Sequence, residues 1–254
     1  MRAARVALCL VLLVASVAWA QDAATALYNA GNAAYAAGDY ATAAAKYEQA
    51  RAAGGANHAL FHNLGNAYFK AGQLGRAILN YERGLRLAPG DEDLRYNLRF
   101  ARARTVDKVD APEEGFIGGL LRRAADRMSL AAAVRIAVAL YLLICTAALA
   151  AVVFRRSVAP RTGALLAGGG FLVLFLLFSP LLYAKVSRDV YATAGVVVAA
   201  KVDVMSGPGQ DFTTVFTVHE GLRVTVREVR ERWAQVTIPS GYSGWIPRDA
   251  FEPI

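Results

Sequence analysis

The chain has 254 residues, of which 56% are hydrophobic, and it carries a formal net charge of +8. Such a charge would suggest nucleic-acid binding if it lay on a water-soluble domain. However, residues 130–189 hold six basic residues and one acidic residue around two long apolar runs. Basic residues at such positions set membrane topology. The composition therefore argues against a nucleic-acid partner and predicts a protein integral to a membrane.

The first 20 residues predict a secretory signal peptide. Two arginines precede the apolar run Val6–Val17, and Ala18-Trp19-Ala20 has the small-residue pattern of a cleavage site. Cleavage would remove Cys9 and leave Cys145 alone, so we expect no intrachain disulfide in the mature chain. The segment that follows is expected outside the cytoplasm, which in a cell without organellar signals means the periplasm.

Residues 24–57 and 58–91 repeat one pattern at a spacing of 34 residues. Small residues recur at the eighth and twentieth positions of each copy, and a tyrosine recurs at the twenty-fourth. Helix pairs that cross closely need the small residues, and the tyrosine fills the space beside them. The paired positions are Gly31 with Gly65, Ala43 with Ala77, and Tyr47 with Tyr81. This pattern resembles the tetratricopeptide repeat, which implies a binding scaffold of antiparallel helices.

Glu92–Arg104 continues the repeat register as a single helix before a charged linker begins. We interpret this helix as a cap whose arginines solvate the end of the stack, so that residues 24–104 form an all-α solenoid. The first helix of each pair is expected to line a concave binding groove. The predicted groove residues are Tyr28, Asn32, Tyr35, His62, Asn66, Phe69, Lys70, Tyr96 and Phe100.

The groove lacks the cations of one known type of tetratricopeptide domain. Domains that bind chaperone C-termini have basic residues at position 5 of the first repeat and at positions 2 and 6 of the third. Those positions here hold Tyr28, Asp93 and Asn97. Without cations at these three positions, a free C-terminal carboxylate would not be compensated for the hydration that it loses on binding. We therefore expect a peptide segment, or a folded surface rich in apolar side chains, as the partner.

A two-helix transmembrane hairpin is predicted next. Residues 105–129 are a linker that ends in an amphipathic helix at the membrane surface, Phe116–Met128. Spans follow at 130–154 and 163–184, and each has about 20 uncharged residues, enough to cross a hydrocarbon core of roughly 30 Å. The loop between them, residues 155–162, holds three arginines and is expected in the cytoplasm.

Residues 190–254 change to six short runs of β-branched residues separated by turns, which predicts a small all-β barrel. Four segments occur in the order of the bacterial SH3 (SH3b) pattern: Val204–Pro208, Gly221–Val224, Trp233–Val236 and Gly244–Ile246. The segment resembles that family, whose modules often contact cell-wall peptides. The resemblance implies Tyr242 and Trp245 as contact residues. The alternative for Trp245 is a place in the barrel core.

Candidate catalytic groups are few. His58 and His62 share a helix face, as metal ligands can, but no acidic third ligand accompanies them. Glu113 and Glu114 follow a proline in the linker, where solvated charge is the simpler interpretation. The sequence has no Gly-rich strand-to-helix turn and no recognisable nucleophile with a base. We therefore expect no enzyme activity, no metal site and no cofactor.

The predicted fold class is multi-domain: an all-α tetratricopeptide solenoid, a two-helix transmembrane hairpin and a small all-β SH3-like barrel. This order of parts resembles the BatE-type membrane proteins of bacterial aerotolerance operons. The resemblance implies a bacterial inner-membrane location, with the repeats and the SH3b domain in the periplasm. It also implies von Willebrand A-domain membrane proteins as partners, beside a MoxR-type AAA+ ATPase.

Two functions follow from these features. The first is a non-catalytic, membrane-anchored scaffold for protein–protein interaction. The alternative is a cell-wall-associated sensor or hydrolase regulator that binds peptidoglycan through its SH3b domain.

Overall fold

The computed structural model describes three ranges of the chain: residues 22–108, 116–191 and 193–254. The signal peptide predicted for residues 1–20 lies outside the described residues, as do Glu113 and Glu114 of the linker.

The chain divides into two compact units. One unit combines the chain up to Ala111 with Ala194–Ile254, and the other is Pro112–Thr193. The repeats and the C-terminal segment therefore fold together, although both apolar helices lie between them in the sequence.

Five helices form the first part of the larger unit. They are α1 (residues 22–36), α2 (Tyr40–Ala52), α3 (His58–Lys70), α4 (Leu74–Leu87) and α5 (Glu92–Arg102). Gly38 and Gly72 lie in the turns within the two helix pairs and have φ angles of +79° and +77°. Glycine adopts this left-handed conformation without strain. Asp39, Asn57 and Asp91 cap the helices that follow them, because each side chain accepts a backbone N–H three residues later.

The small residues at the helix crossings have the role that the 34-residue period predicts. A Cβ atom on Gly31 would lie 2.5 Å from the ring of Tyr47, and one on Gly65 would lie 2.5 Å from the ring of Tyr81. Both tyrosines are buried. These contacts confirm the predicted register, because each close approach joins the eighth and the twenty-fourth positions of one repeat.

Seven strands form one antiparallel sheet in the C-terminal segment. They are β1 (Ala194–Val197), β2 (Lys201–Met205), β3 (Thr214–His219), β4 (Arg223–Arg230), β5 (Trp233–Thr237), β6 (Ser243–Pro247) and β7 (Phe251–Pro253). Their order is β3-β2-β6-β5-β4-β1-β7, so the described sheet is open between β3 and β7 rather than closed as predicted. The six predicted runs each overlap a strand. We did not predict β7, because three residues that end in proline show no alternation.

The sheet shares a hydrophobic core with the repeats. Val196 of β1 has no exposed surface and belongs to the same buried cluster as Ile78 of α4. A Cβ atom on Gly75 of α4 would lie 2.6 Å from the carbonyl oxygen of Val197, so glycine lets the strand approach the helix this closely. The repeat and sheet segments that we predict as separate domains are therefore one folded unit.

Polar contacts also join the sheet to the repeats. The Glu220 carboxylate accepts the backbone N–H of Gly75 at 2.8 Å, in the first turn of α4. The sheet thus caps this helix from outside, since Gln73 before α4 makes no side-chain cap bond. Beyond α5, Asp107 accepts the backbone N–H of His219 at 2.6 Å, and its other oxygen lies 2.9 Å from Nδ1 of the same histidine.

The second unit contains three helices and a short π-helix. They are α6 (Phe116–Asp126), α7 (Leu130–Val153), α8 (Val158–Val186) and the π-helix Ser187–Tyr191. Both α7 and α8 are long and apolar enough to cross a membrane, and only 17% and 0% of their most apolar windows are buried. A core helix of a soluble protein would be mostly covered.

The turn between these two helices is shorter than predicted. Because α8 begins at Val158, most of the loop predicted at residues 155–162 is helical, and Phe154–Ser157 remains as the turn. Pro160 lies in the first turn of α8, where a missing N–H breaks no intrahelical hydrogen bond. Gly168 packs against α7, since a Cβ atom there would lie 3.2 Å from that of Ala147.

Candidate protein-binding groove

A pocket of about 200 Å³ lies between the first helices of the two repeats. It is lined by Asn32, Tyr35, Tyr47, Asn63 and Asn66. Asn32, Tyr35 and Asn66 are predicted groove residues, whereas Tyr47 and Asn63 are additional. This volume can hold about six water molecules or one large side chain.

A hydrogen-bond network crosses the pocket from the first repeat to the second. The Asn32 Oδ1 atom accepts the Tyr47 hydroxyl at 2.7 Å and the Asn63 Nδ2 group at 3.1 Å. Asn63 Nδ2 also donates to the hydroxyl oxygen of Tyr28 at 2.8 Å. Burial, with a smaller contribution from Tyr28, raises the pKa of Tyr47 to about 12. The Tyr47 hydroxyl therefore stays protonated and donates at physiological pH.

The same network recurs one repeat later. The Asn66 Oδ1 atom accepts the Tyr81 hydroxyl at 2.8 Å and the Asn97 Nδ2 group at 3.0 Å. Asn97 Nδ2 lies 2.8 Å from Nε2 of His62, which takes the place of Tyr28. Burial raises the pKa of Tyr81 as well. The network is thus a property of the 34-residue period, and it joins each repeat to the next.

These bonds change the roles of three predicted groove residues. The amide oxygens of Asn32 and Asn66, and the His62 ring, already bind groups of the protein. The Nδ2 groups of Asn32 and Asn66 have no acceptor within the part of the chain that the structure describes. A ligand carbonyl can therefore use the amide N–H groups, while the amide oxygens hold the repeats together.

The α5 end of the groove is aromatic and basic. The Phe100 ring lies 5.6 Å from the Phe69 ring and 6.1 Å from the nearly parallel Tyr96 ring, measured between centroids. The Arg104 guanidinium lies 3.6 Å from the Phe100 centroid and 5.5 Å from that of Phe69. Tyr96 is 59% exposed and Phe100 is 41% exposed. We did not predict Arg104, although it follows the predicted and exposed Lys70 by one 34-residue period.

The histidine pair considered as a metal site is used differently. His58 is exposed at the start of α3, and the His62 ring lies against Asn97. Among the described residues, no group of three or more His, Cys, Asp or Glu side chains is placed to hold a metal ion.

The two contact residues predicted on the sheet differ in exposure. Tyr242 is 66% exposed, and its ring lies 6.4 Å from that of Phe216. Trp245 is only 6% exposed. It lies on β6, an interior strand that pairs with both β2 and β5, so neighbouring side chains cover it. The prediction of Trp245 as a surface contact is therefore wrong, and its place is in the interior.

A family model for the tetratricopeptide repeat matches residues 58–91. His58–Asp91 is a tetratricopeptide repeat. The match has the bounds of the second predicted copy, and residues 24–57 reproduce its glycine–tyrosine contact and its asparagine–tyrosine bond. Repeats of this type present concave surfaces that bind other proteins. The chain is not significantly similar to any curated protein.

Proposed function

We propose that this chain is a non-catalytic scaffold that α7 and α8 anchor in a membrane and whose groove holds a protein partner. The observation that carries the proposal is a tetratricopeptide groove with exposed aromatic rings at one end. Aromatic side chains give large contact areas at little cost in conformational entropy, which is why they dominate binding hot spots. The groove offers amide, phenol and aromatic groups, which suit binding better than bond cleavage.

The setting that we propose is the periplasmic side of a bacterial inner membrane. The shared core of repeats and sheet supports a location of both on one side, and two spans return the chain to the side that it left. Arg155 and Arg156 in the turn between the spans favour a cytoplasmic turn.

The partner class that we propose is a membrane protein with a von Willebrand A domain, in an aerotolerance-type complex beside a MoxR-type ATPase. The order of repeats, membrane hairpin and SH3-like sheet supports this choice. Six strands of the sheet overlap the predicted runs, but the sheet is open between its outer strands. The SH3-like assignment is therefore based on the order of the four sequence motifs and not on a closed barrel.

Cysteine labelling in intact cells tests the topology. In a chain with Cys9 and Cys145 replaced by serine, we introduce one cysteine at Gln49, Arg156 or Asp211, all of them exposed positions. An impermeant maleimide should label the cysteines at 49 and 211, and the one at 156 only after permeabilisation. Protection at 211 with labelling at 49 would contradict the two-span arrangement. Labelling at 156 alone would contradict the orientation.

Partner recovery tests the groove. The double variant Tyr35→Ala, Phe69→Ala should recover about 30-fold less partner from cross-linked membranes, which corresponds to a loss of about 2 kcal/mol. Thermal melts should show that the array still folds. The matched control is Phe212→Ala, Tyr242→Ala, which removes two exposed rings from the sheet instead. A loss confined to the control variant would contradict groove binding.

The same control variant tests a second function, which the exposed Tyr242 and the 48% exposed Phe212 favour. A wall-associated sensor or hydrolase regulator would use these rings to hold peptidoglycan. The full chain should then sediment with purified murein sacculi, and the Phe212→Ala, Tyr242→Ala variant should not. Equal sedimentation of both chains, or of neither, argues against this function.

A further inference from the structure

We propose that the groove recognises an internal acidic segment of its partner, in which carboxylates flank an aromatic side chain. The aromatic ring would stack at the α5 end, and Lys70 and Arg104 would pair with the carboxylates. This inference rests on the proposed function, and it specifies the chemistry of the segment that the groove takes.

The aromatic part of the site is already assembled. Phe69, Tyr96 and Phe100 form one contiguous cluster, and two of these rings keep about half of their surface exposed. Exposed rings that pack together mark binding surfaces more strongly than isolated exposed apolar residues. An incoming aromatic ring would extend the stack and exclude water from both partners.

Lys70 and Arg104 give the site its positive charge. Within the described residues, neither Lys70 nor Arg104 has a carboxylate within salt-bridge distance. In contrast, Arg102 at the end of α5 pairs with the buried Glu82. Arg104 also donates to the Phe100 carbonyl oxygen at 3.1 Å, which fixes its guanidinium over the rings. A stacked guanidinium keeps edge N–H groups for a carboxylate, as a bidentate pair requires.

The amide groups set the spacing of the segment. The Asn66 Nδ2 group, which has no acceptor among the described residues, lies on α3 three residues before Phe69 of the cluster. Because a helix rises about 1.5 Å per residue, the two positions are about 4.5 Å apart along the helix axis, a distance that an extended chain covers in one or two residues. An internal segment satisfies this arrangement. The positions that would hold a free C-terminal carboxylate are occupied by Tyr28, Asp93 and Asn97.

Three labelled peptides of about 10 residues test this chemistry against the full chain in detergent. Each is amidated at its C-terminus and has Glu-Phe-Glu, Lys-Phe-Lys or Glu-Ala-Glu at the centre of a Gly-Ser sequence. The Glu-Phe-Glu peptide should bind at least about tenfold more tightly than either of the others, because it alone offers both the ring and the charges. Added salt should weaken its binding.

Variants of the protein with reversed charge provide the second part of this test. The double variant Lys70→Glu, Arg104→Glu should reverse the preference and favour the Lys-Phe-Lys peptide. Arg99→Glu, an exposed change on the same helix as Phe100, should leave the preference unchanged. If charge reversal unfolds the array in thermal melts, the neutral variant Lys70→Gln, Arg104→Gln should abolish the preference instead.

Equal binding of the three peptides, no binding of any, or a preference that the Lys70 and Arg104 variants leave intact would overturn this inference. The proposed function has its own readout. If the Tyr35→Ala, Phe69→Ala variant loses the membrane partner while the peptides bind alike, the groove binds a partner of different chemistry. If that variant retains the partner, groove binding itself is wrong.

Discussion

Replacing Gly65 with leucine should destabilise the repeat array. A Cβ atom at this position would lie 2.5 Å from Cε1 and 2.6 Å from Cδ1 of Tyr81, and the larger leucine side chain would extend further into the ring. Tyr81 cannot rotate away without breaking its bond to Asn66. Overpacking costs about 1–3 kcal/mol, and an unpaired buried hydroxyl adds about 1–3 kcal/mol. The gain in helix propensity over glycine, at most about 1 kcal/mol, does not offset this.

Thermal melts followed by far-ultraviolet circular dichroism measure the effect, which should be a drop of roughly 5–15 °C in the midpoint. Gly90→Ala is the control, because a Cβ atom on Gly90 meets nothing within 4 Å. Adding Tyr81→Ala to Gly65→Leu should recover part of the loss, since the smaller residue leaves room for the leucine. A double-mutant cycle with no coupling energy would contradict the contact.

The same contact explains why the helical part of the fold could be predicted. Gly65 and Tyr81 lie 16 residues apart, and Gly31 and Tyr47 repeat that spacing one period earlier. Each close crossing is formed within one repeat, so the sequence pattern itself records it. The groove was predicted for the same reason, and the missed Arg104 carries the same period as Lys70.

The docking of the sheet on the repeats could not be predicted, because it joins residues that share no pattern. Gly75 meets Val197, and Glu220 caps the helix of Gly75 from 145 residues away. Gly75 alone does not indicate that a strand packs against α4, because a close crossing of two helices also requires a glycine inside a helix. The asparagine network was missed for a different reason. The sequence shows which amides share a face, but it does not show whether they bind each other or a ligand.

Replacing Gly75 with leucine should separate the unfolding of the sheet from that of the repeats. The obstacle here is the backbone carbonyl oxygen of Val197, 2.6 Å from the new Cβ atom, and a backbone atom cannot turn aside as a side chain can. Relief of the clash requires β1 to move away from α4. That movement would expose Val196, which has no exposed surface in the intact unit, and would break the cap from Glu220.

The chain carries its own probe for this separation. Of its three tryptophans, Trp233 and Trp245 lie in the sheet, and the third can be replaced as Trp19→Phe. Tryptophan fluorescence therefore reports the sheet, whereas changes in far-ultraviolet circular dichroism report the helices. In the wild-type chain the two melting curves should coincide, because one shared core unfolds cooperatively. In Gly75→Leu the fluorescence transition should occur at a lower temperature than the loss of helix.

Two further variants distinguish a lost interface from a weakened helix. Glu220→Ala removes the cap without a clash. It should lower the free energy of unfolding by about 1 kcal/mol and shift both transitions together to a lower temperature. In Gly90→Ala the new Cβ atom meets no neighbour, so the two melting curves should stay coincident. Coincident curves in Gly75→Leu would contradict this prediction, because the sheet and the repeats would still unfold as one unit without the close contact. Separate curves in the wild-type chain would mean instead that the repeats and the sheet are independent domains, as the sequence alone suggests.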